Sequence, residues 1–264
     1  MGNISFDRTV MGDSTTARDL TVNGTNVTFT GAVGAPLAKI GALNIQSSGI
    51  TTFVSTVLAD SLTTHSGGST VIQGGQITTS GAQTYGDNVL LGNASFATVL
   101  TTTDSAVSFA GTVNNQVAGT PQALTIDAGT GAVSFSGAIG SAAAPIGDLS
   151  ISHSSATTFS SSVDAASLSV NASGITQFNG IVTAGSVTTD APGSVQFNIT
   201  TPLNGASVLT TGAQTYGDAV VLIQDTALTS TGVGTAGPIR FDQTVMGDSA
   251  TMHHLTLRAT DVTF

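Results

Sequence analysis

The side chains able to do chemistry are few in this 264-residue chain, and they are scattered. All fifteen acidic residues are Asp, there are four His and five basic residues, and there is no Cys. Five Gly-Asp pairs recur: Gly12-Asp13, Gly86-Asp87, Gly147-Asp148, Gly217-Asp218 and Gly247-Asp248. Stacked aspartates would suit calcium, which takes several oxygen ligands. A plain turn, with Gly at positive φ and Asp capping the backbone, is the simpler expectation, and the nonapeptide Gly-Gly-x-Gly-x-Asp calcium repeat is absent. His65 and His153 stand alone. His253 and His254 are adjacent and point to opposite faces of a strand, so they are not expected to share a metal. Tyr85 and Tyr216 lie in a box, Gly-Ala-Gln-Thr-Tyr-Gly-Asp, that occurs verbatim at 81–87 and 212–218. Packing of the ring over a corner is expected there, with ligand binding as the alternative. Asn93, Asn171 and Asn198 begin Asn-x-Ser/Thr sequons that could accept sugar in an exported protein, although chance matches are expected in so Asn- and Thr-rich a chain.

No set of these residues forms a catalytic motif. A β-helical polysaccharide enzyme needs clustered carboxylates with Lys or Arg in a cleft, and the spacing of the Asp residues offers none. There is no phosphate loop, nucleophile elbow or zinc motif. No catalytic, cofactor-binding or metal residue is assigned, and the chain is not expected to be an enzyme. A formal charge of −10 disfavours nucleic acid. No apolar run is long enough to span a membrane, and the first residues, MGNISFDRTV, do not read as a signal peptide. If the chain is exported, it is expected to be a mature or internal segment.

The elements that would carry these residues are strands. Charged residues make up only 8% of the chain. Thr, Val and Ile favour a pleated surface, and Gly, Asn, Asp and Ser favour turns. At 40% hydrophobic residues the chain is not of disordered composition. An apolar-x-Phe strand recurs, as in Ile4-Ser5-Phe6, Val27-Thr28-Phe29, Val107-Ser108-Phe109, Val133-Ser134-Phe135, Val195-Gln196-Phe197, Ile239-Arg240-Phe241 and Val262-Thr263-Phe264. Looser copies end at Phe53, Phe159 and Phe178, and Ile72, Leu91 and Leu222 replace Phe. The landmarks therefore stand at 6, 29, 53, 72, 91, 109, 135, 159, 178, 197, 222, 241 and 264. Each interval is about the length of one solenoid coil.

Four residues after the Phe an apolar residue often returns, as at Val10, Val33, Val113 and Ile139. A Leu-x-apolar strand follows, as at Leu20-Val22, Leu43-Ile45, Leu124-Ile126, Leu149-Ile151, Leu168-Val170 and Leu255-Leu257. Long coils carry five or six extra residues, such as 34–39 and 140–145, which are expected at one corner of the cross-section and are where a solenoid meets partners.

Each coil is too small to bury its own apolar face, so stacking must do it. The expected fold is all-β, a right-handed parallel β-solenoid (β-helix) of about 12–13 coils of 18–26 residues. An antiparallel sandwich or barrel is the alternative. Variable coil length argues against an ice-binding array of Thr. The organisation is a single segment, 1–264, with a super-repeat over 4–238. Ile4–Ser14 is matched by Ile239–Ser249, and the next unit begins over 239–264. Both ends fall on core strands without a cap, so end-to-end self-association or continuation in a longer chain is expected.

The Val-x-Phe-x-Gly-x-Val and Leu-x-Leu strands, with the Thr-x-Gly-Ala-Gln-Thr-Tyr-Gly-Asp boxes, resemble the β-strand repeats of filamentous-haemagglutinin-like adhesins and related giant surface proteins of Gram-negative bacteria. The resemblance spans essentially the whole chain. It implies an extracellular, outer-membrane-associated β-helical stalk exported by a two-partner or similar route, with a role in adhesion, aggregation or extracellular matrix. It transfers no functional residue. The alternative function is a carbohydrate- or host-receptor-binding module using the corner loops.

Overall fold

A computed structural model describes residues 1–13, 16–92, 97–203, 205–234, 237–248 and 251–264. It is all-β, without α-helix among these residues, and its coils pair through parallel ladders into a solenoid of about 11 turns. At a coil spacing of about 4.8 Å the stack is roughly 50 Å tall.

Three faces enclose one narrow core. The first runs Phe6, Phe29, Phe53, Ile72, Leu91 and then Val113, Ile139, Val163, Val182, Val208, Leu228, Leu257. The second carries Val10, Val33, Val57, Ile77, Leu100, Ile126, Ile151, Val170, Thr189, Tyr216 and Phe241. The third carries Val22, Ile45, Thr64, Tyr85, Phe109, Phe135, Phe159, Phe178, Phe197 and Leu222. Side chains alternate in and out along each strand, as in the Val133–Phe135 strand with its inner residues buried and Ser134 half-exposed.

The aromatic landmarks thus form three columns. Phe6, Phe29 and Phe53 stack on the first face at 4.7 and 5.4 Å. Tyr85 to Phe197 stack on the third at 4.7 to 5.7 Å. Tyr216, Phe241 and Phe264 stack on the second. Between the last two columns Phe197 meets Tyr216 edge-on, 5.7 Å apart at 86°. Such aromatic pairs contribute about 0.5–1.5 kcal/mol each beyond their buried area.

This corrects the coil count of 12–13. The intervals from Leu91 to Phe109 and from Leu222 to Phe241 each cross two faces instead of three, because Phe109 pairs with Tyr85 and Phe241 with Tyr216. Those two shortened intervals reduce the count to about 11 turns. The super-repeat is also shifted: Phe6 stands on the first face and its counterpart Phe241 on the second.

The extra residues of long coils are not at one corner. Val33 and Ile40 both pair with the continuous strand Val57–Thr64, at Val57 and Ala59, so 34–39 bulges out of the middle of the second face. Residues 140–145 leave the first face in the same way, between Ile139 and Ile146 opposite Val163 and Ala165. Both bulges open on a left-handed glycine, Gly34 (φ 77°) and Gly140 (φ 63°). Each closes through a reciprocal backbone pair, Ala35 with Ala38 and Ser141 with Ala144.

Candidate functional site

The two verbatim boxes are the most elaborate polar structures in the molecule. Their first part is core, not a corner cover: Tyr85 and Tyr216 are fully buried in the aromatic columns. Gln83 and Gln214 occupy the inner position that Val takes elsewhere, and each must satisfy an amide inside the core. Tyr85 Oη donates to Gln83 Oε1 and Tyr216 Oη to Gln214 Oε1, both at 2.9 Å. Gln83 Nε2 donates to Thr101 O at 3.0 Å, and Gln214 Nε2 to Thr229 O at 2.9 Å. Thr79 and Thr210 close the network onto Gly81 O and Gly212 O, each at 2.6 Å. Burial pushes both phenols far above their ordinary pKa, with Asp87 adding to the effect at Tyr85. These tyrosines therefore stay neutral and structural.

The last residue of each box is a buried Asp, and here the copies differ. Asp87 Oδ1 accepts from Thr64 Oγ1 at 2.9 Å and from Thr70 Oγ1 at 2.9 Å, and Thr70 also lies 3.1 Å from Oδ2. Burial raises the Asp87 carboxyl, against the pull of Thr70 and Thr64. In the second box Thr189 takes the place of Thr64, but Val195 stands where the first has Thr70. Asp218 is 1% exposed. Among the described residues no donor makes a hydrogen bond to either of its oxygens, and buried Thr189 Oγ1 is also unpaired. Burial pushes Asp218 up to about 6; nearby Thr189 pulls it down and Asp190 pushes it further up.

The five Gly-Asp pairs do not form one ladder. Asp87 follows a third-face strand and Asp218 a second-face strand. None of the five glycines has positive φ, which corrects the turn expectation. Backbone proximity explains most of them. A β-carbon would collide with Lys39 O at Gly12, and would stand 2.6 Å from Thr64 O at Gly86, 2.8 Å from Ala123 N at Gly147 and 2.7 Å from Thr189 O at Gly217. Gly247 has no such neighbour, and nothing in the structure requires a glycine there. Asp13 and Asp248 do cap backbone, accepting from Thr16 N at 2.7 Å and Thr251 N at 3.1 Å.

The histidines lie in separate places. His65 and His254 are exposed, and His153 Nδ1 lies 3.3 Å from Asp127 Oδ1 at the surface. His253 Nε2 sits 2.8 Å from Thr251 Oγ1 and 3.3 Å from Asp248 Oδ1. No group of three or more His, Cys, Asp or Glu gathers among the described residues. Of the sequons, Asn93 lies outside the described residues, Asn171 is half-buried, and Asn198 uses its amide on Asn179 Oδ1 at 2.9 Å.

The bulges are the other candidate surface. Leu37, at the tip of 34–39, is 86% exposed. Lys39 anchors the base of the same bulge to Asp60 at 2.5 Å and approaches Ser80 Oγ at 3.5 Å. Lys39 and Ser80 hold the Asp60 carboxyl below its ordinary value. No described helix is long and apolar enough to cross a membrane. No family model, curated protein or solved structure matches this chain.

Proposed function

We propose that this chain is a stalk or fibre segment of a secreted bacterial surface protein, working as a stiff spacer in adhesion, aggregation or matrix formation. The observation that supports the reading is the parallel pairing of every coil with the next from the first to the last, with the third-face aromatic column meeting the second-face column inside the core at Phe197 and Tyr216. A rod built this way resists bending because every coil is hydrogen-bonded along the axis to its neighbours.

The shifted super-repeat offers a geometry by which such a rod would lengthen. A second copy of the chain placed over Phe264 would continue the columns after one face of rotation. The counterpart of Phe6 would lie on Phe264, that of Val10 on Val245, and those of Leu20 and Val22 on Leu255 and Leu257. Electron microscopy of the purified chain tests the proposal. Rods about as tall as the stack, or end-to-end fibres, are expected; compact globules would refute it.

A second reading, a carbohydrate- or receptor-binding module, draws on the exposed Leu37 tip and its anchored base. It predicts binding on a glycan array that disappears when the bulge is removed.

A further inference from the structure

The two bulges are built alike, but only the first carries its own cation. Residues 27–62 and 133–168 align without a gap, which sets Lys39 against Pro145, Leu58 against Asp164 and Asp60 against Ala166. In the first bulge Lys39 turns its ammonium back onto Asp60, with Ser80 Oγ 3.5 Å away. In the second a proline holds the lysine position, and the carboxylate stands two residues earlier on the strand, at Asp164. Asp164 faces outward between the buried Val163 and Ala165. Its backbone N donates to Ile139 O at 2.8 Å, which fixes it at the root of the bulge.

A cavity of about 190 Å³ opens at that root. Ala142 and Pro145 of the bulge form one wall, Ala184 and Gly185 of the following coil form another, and Thr183 pairs with Asp164 across the ladder. Asp164 is the only charged side chain in the lining, and among the described residues no cation pairs with it. Above it the same outward column carries Thr183, Leu209 and Thr229. The first cation on that column is Arg258, four rungs up and so roughly 19 Å away. Burial raises the Asp164 carboxyl, against the pull of Thr183. An opposite charge brought to a partly buried carboxylate favours its ionised form. Short apolar walls and one carboxylate suit an alkyl stem that ends in a compact ammonium with donors to spare. Lys39 on Asp60 is that arrangement in the sister bulge. The chain has no second lysine. A lysine for this pocket must therefore come from a different protein, and a formal charge of −10 favours the approach of a cationic one. We infer that the pocket beneath residues 140–145 takes a lysine side chain of a partner protein, its ammonium on Asp164 and Thr183 and its stem along Ala142, Pro145 and Ala184.

Titration of the intact chain with Nα-acetyl-lysine methylamide, followed by NMR of the Ala142 and Ala184 methyl groups, tests this. Saturable shifts are expected, with a Kd on the order of 1–10 mM, the range open to one part-exposed ion pair and a short alkyl stem. Asp164→Asn, or acetylation of the probe's amine, should weaken binding about fivefold or more. Asp60→Asn, in the bulge that carries Lys39, should leave it unchanged. The acetylated probe needs no variant, so it decides the point should Asp164→Asn fail to fold. Four results would overturn the assignment: no saturable shift up to about 50 mM, equal binding of the acetylated probe, equal binding by a folded Asp164→Asn chain, or tighter binding of the arginine analogue or of free putrescine.

Discussion

Thr70→Val isolates what the hydroxyls do for a buried carboxylate. Valine has nearly the shape of threonine, so the change opens no cavity and leaves the first-face ladder through Thr51, Thr70 and Val89 in place. What it removes is the 2.9 Å hydrogen bond to Asp87, leaving Thr64 as the one hydroxyl donor. A hydrogen bond to a charged group is worth about 1.5–3 kcal/mol, so a loss of about 2 kcal/mol is expected at pH 8. For a chain of this size that is a fall in Tm of about 4–8 °C. The loss depends on pH in a defined sense. The folded Asp87 carboxyl lies above its ordinary value of 3.8, so its contribution to stability is greatest below 3.8 and falls as pH rises through the folded value. Removing Thr70 raises the folded value further and deepens that fall. The gap between wild type and variant should therefore be small at pH 3, where a neutral acid forfeits about 1 kcal/mol or less, and full at pH 8. Thermal unfolding followed by circular dichroism at the two pH values measures both. An equal loss at both would mean that packing, not the carboxylate, carries the effect, and the reasoning would fail.

Three other outcomes follow from the geometry. Phe135→Ala, in the middle of the third-face column between Phe109 and Phe159, should destabilise by about 3–5 kcal/mol, measurable by urea unfolding. Replacing residues 34–39 by a single Ser should leave the fold intact by circular dichroism, because Val33-Ser-Ile40 then matches Val57-Leu58-Ala59; the exposed Lys39–Asp60 pair it removes is worth at most about 1 kcal/mol. Gly34→Ala should destabilise far more than Gly119→Ala in parallel melts. Both glycines have positive φ, but a β-carbon at Gly34 would collide with Leu58 O, whereas Gly119 has nothing within 4 Å.

The fold class is legible in the sequence because the core repeats itself: apolar-x-Phe strands at coil spacing report the buried column directly. The phase is concealed. The interval from Leu91 to Phe109 is the shortest of the series and hints at a missing face. The interval from Leu222 to Phe241 gives no such hint, because it equals in length the real coils from Phe53 to Ile72 and from Phe159 to Phe178. The missing landmark is Tyr. Gln83-Thr84-Tyr85 and Gln214-Thr215-Tyr216 fit the strand pattern once Gln is allowed in an inner position. Tyr85 to Phe109 is then an ordinary coil, as long as Phe29 to Phe53, and Tyr216 to Phe241 is as long as Phe197 to Leu222. Gln reads as surface because a buried amide needs partners, and those partners, the Thr101 and Thr229 carbonyls, come from the next coil and cannot be seen in one repeat. The difference between Asp87 and Asp218 is hidden similarly, since it rests on Thr70 against Val195, which stand far before each Asp in the chain and at unequal distances from it.

The box is therefore the device that moves the pattern around the rod. Before Tyr85 the aromatic role belongs to the first face, between the boxes to the third, and after Tyr216 to the second. Whatever follows the aromatic strand moves with it. The bulge after Val33 leaves the second face and the matching bulge after Ile139 leaves the first, although the stretches 27–62 and 133–168 align without a gap. Without the boxes, every such bulge would project from one side of the rod. With them, equivalent bulges leave different faces, and at the second box the polar network is buried where one aromatic column meets the next. Insertions on one side would interrupt the same ladder repeatedly, whereas the bulges after Val33 and Ile139 fall on different faces. The same logic fixes what the Gln-Tyr pair must do. It fills the inner position of a strand that begins a new column, where no aromatic ring lies directly beneath: Tyr85 pairs downward with Thr64 and Tyr216 with Thr189. A small inner Thr below leaves room for the larger phenol, and its hydroxyl faces the buried Asp that ends the box.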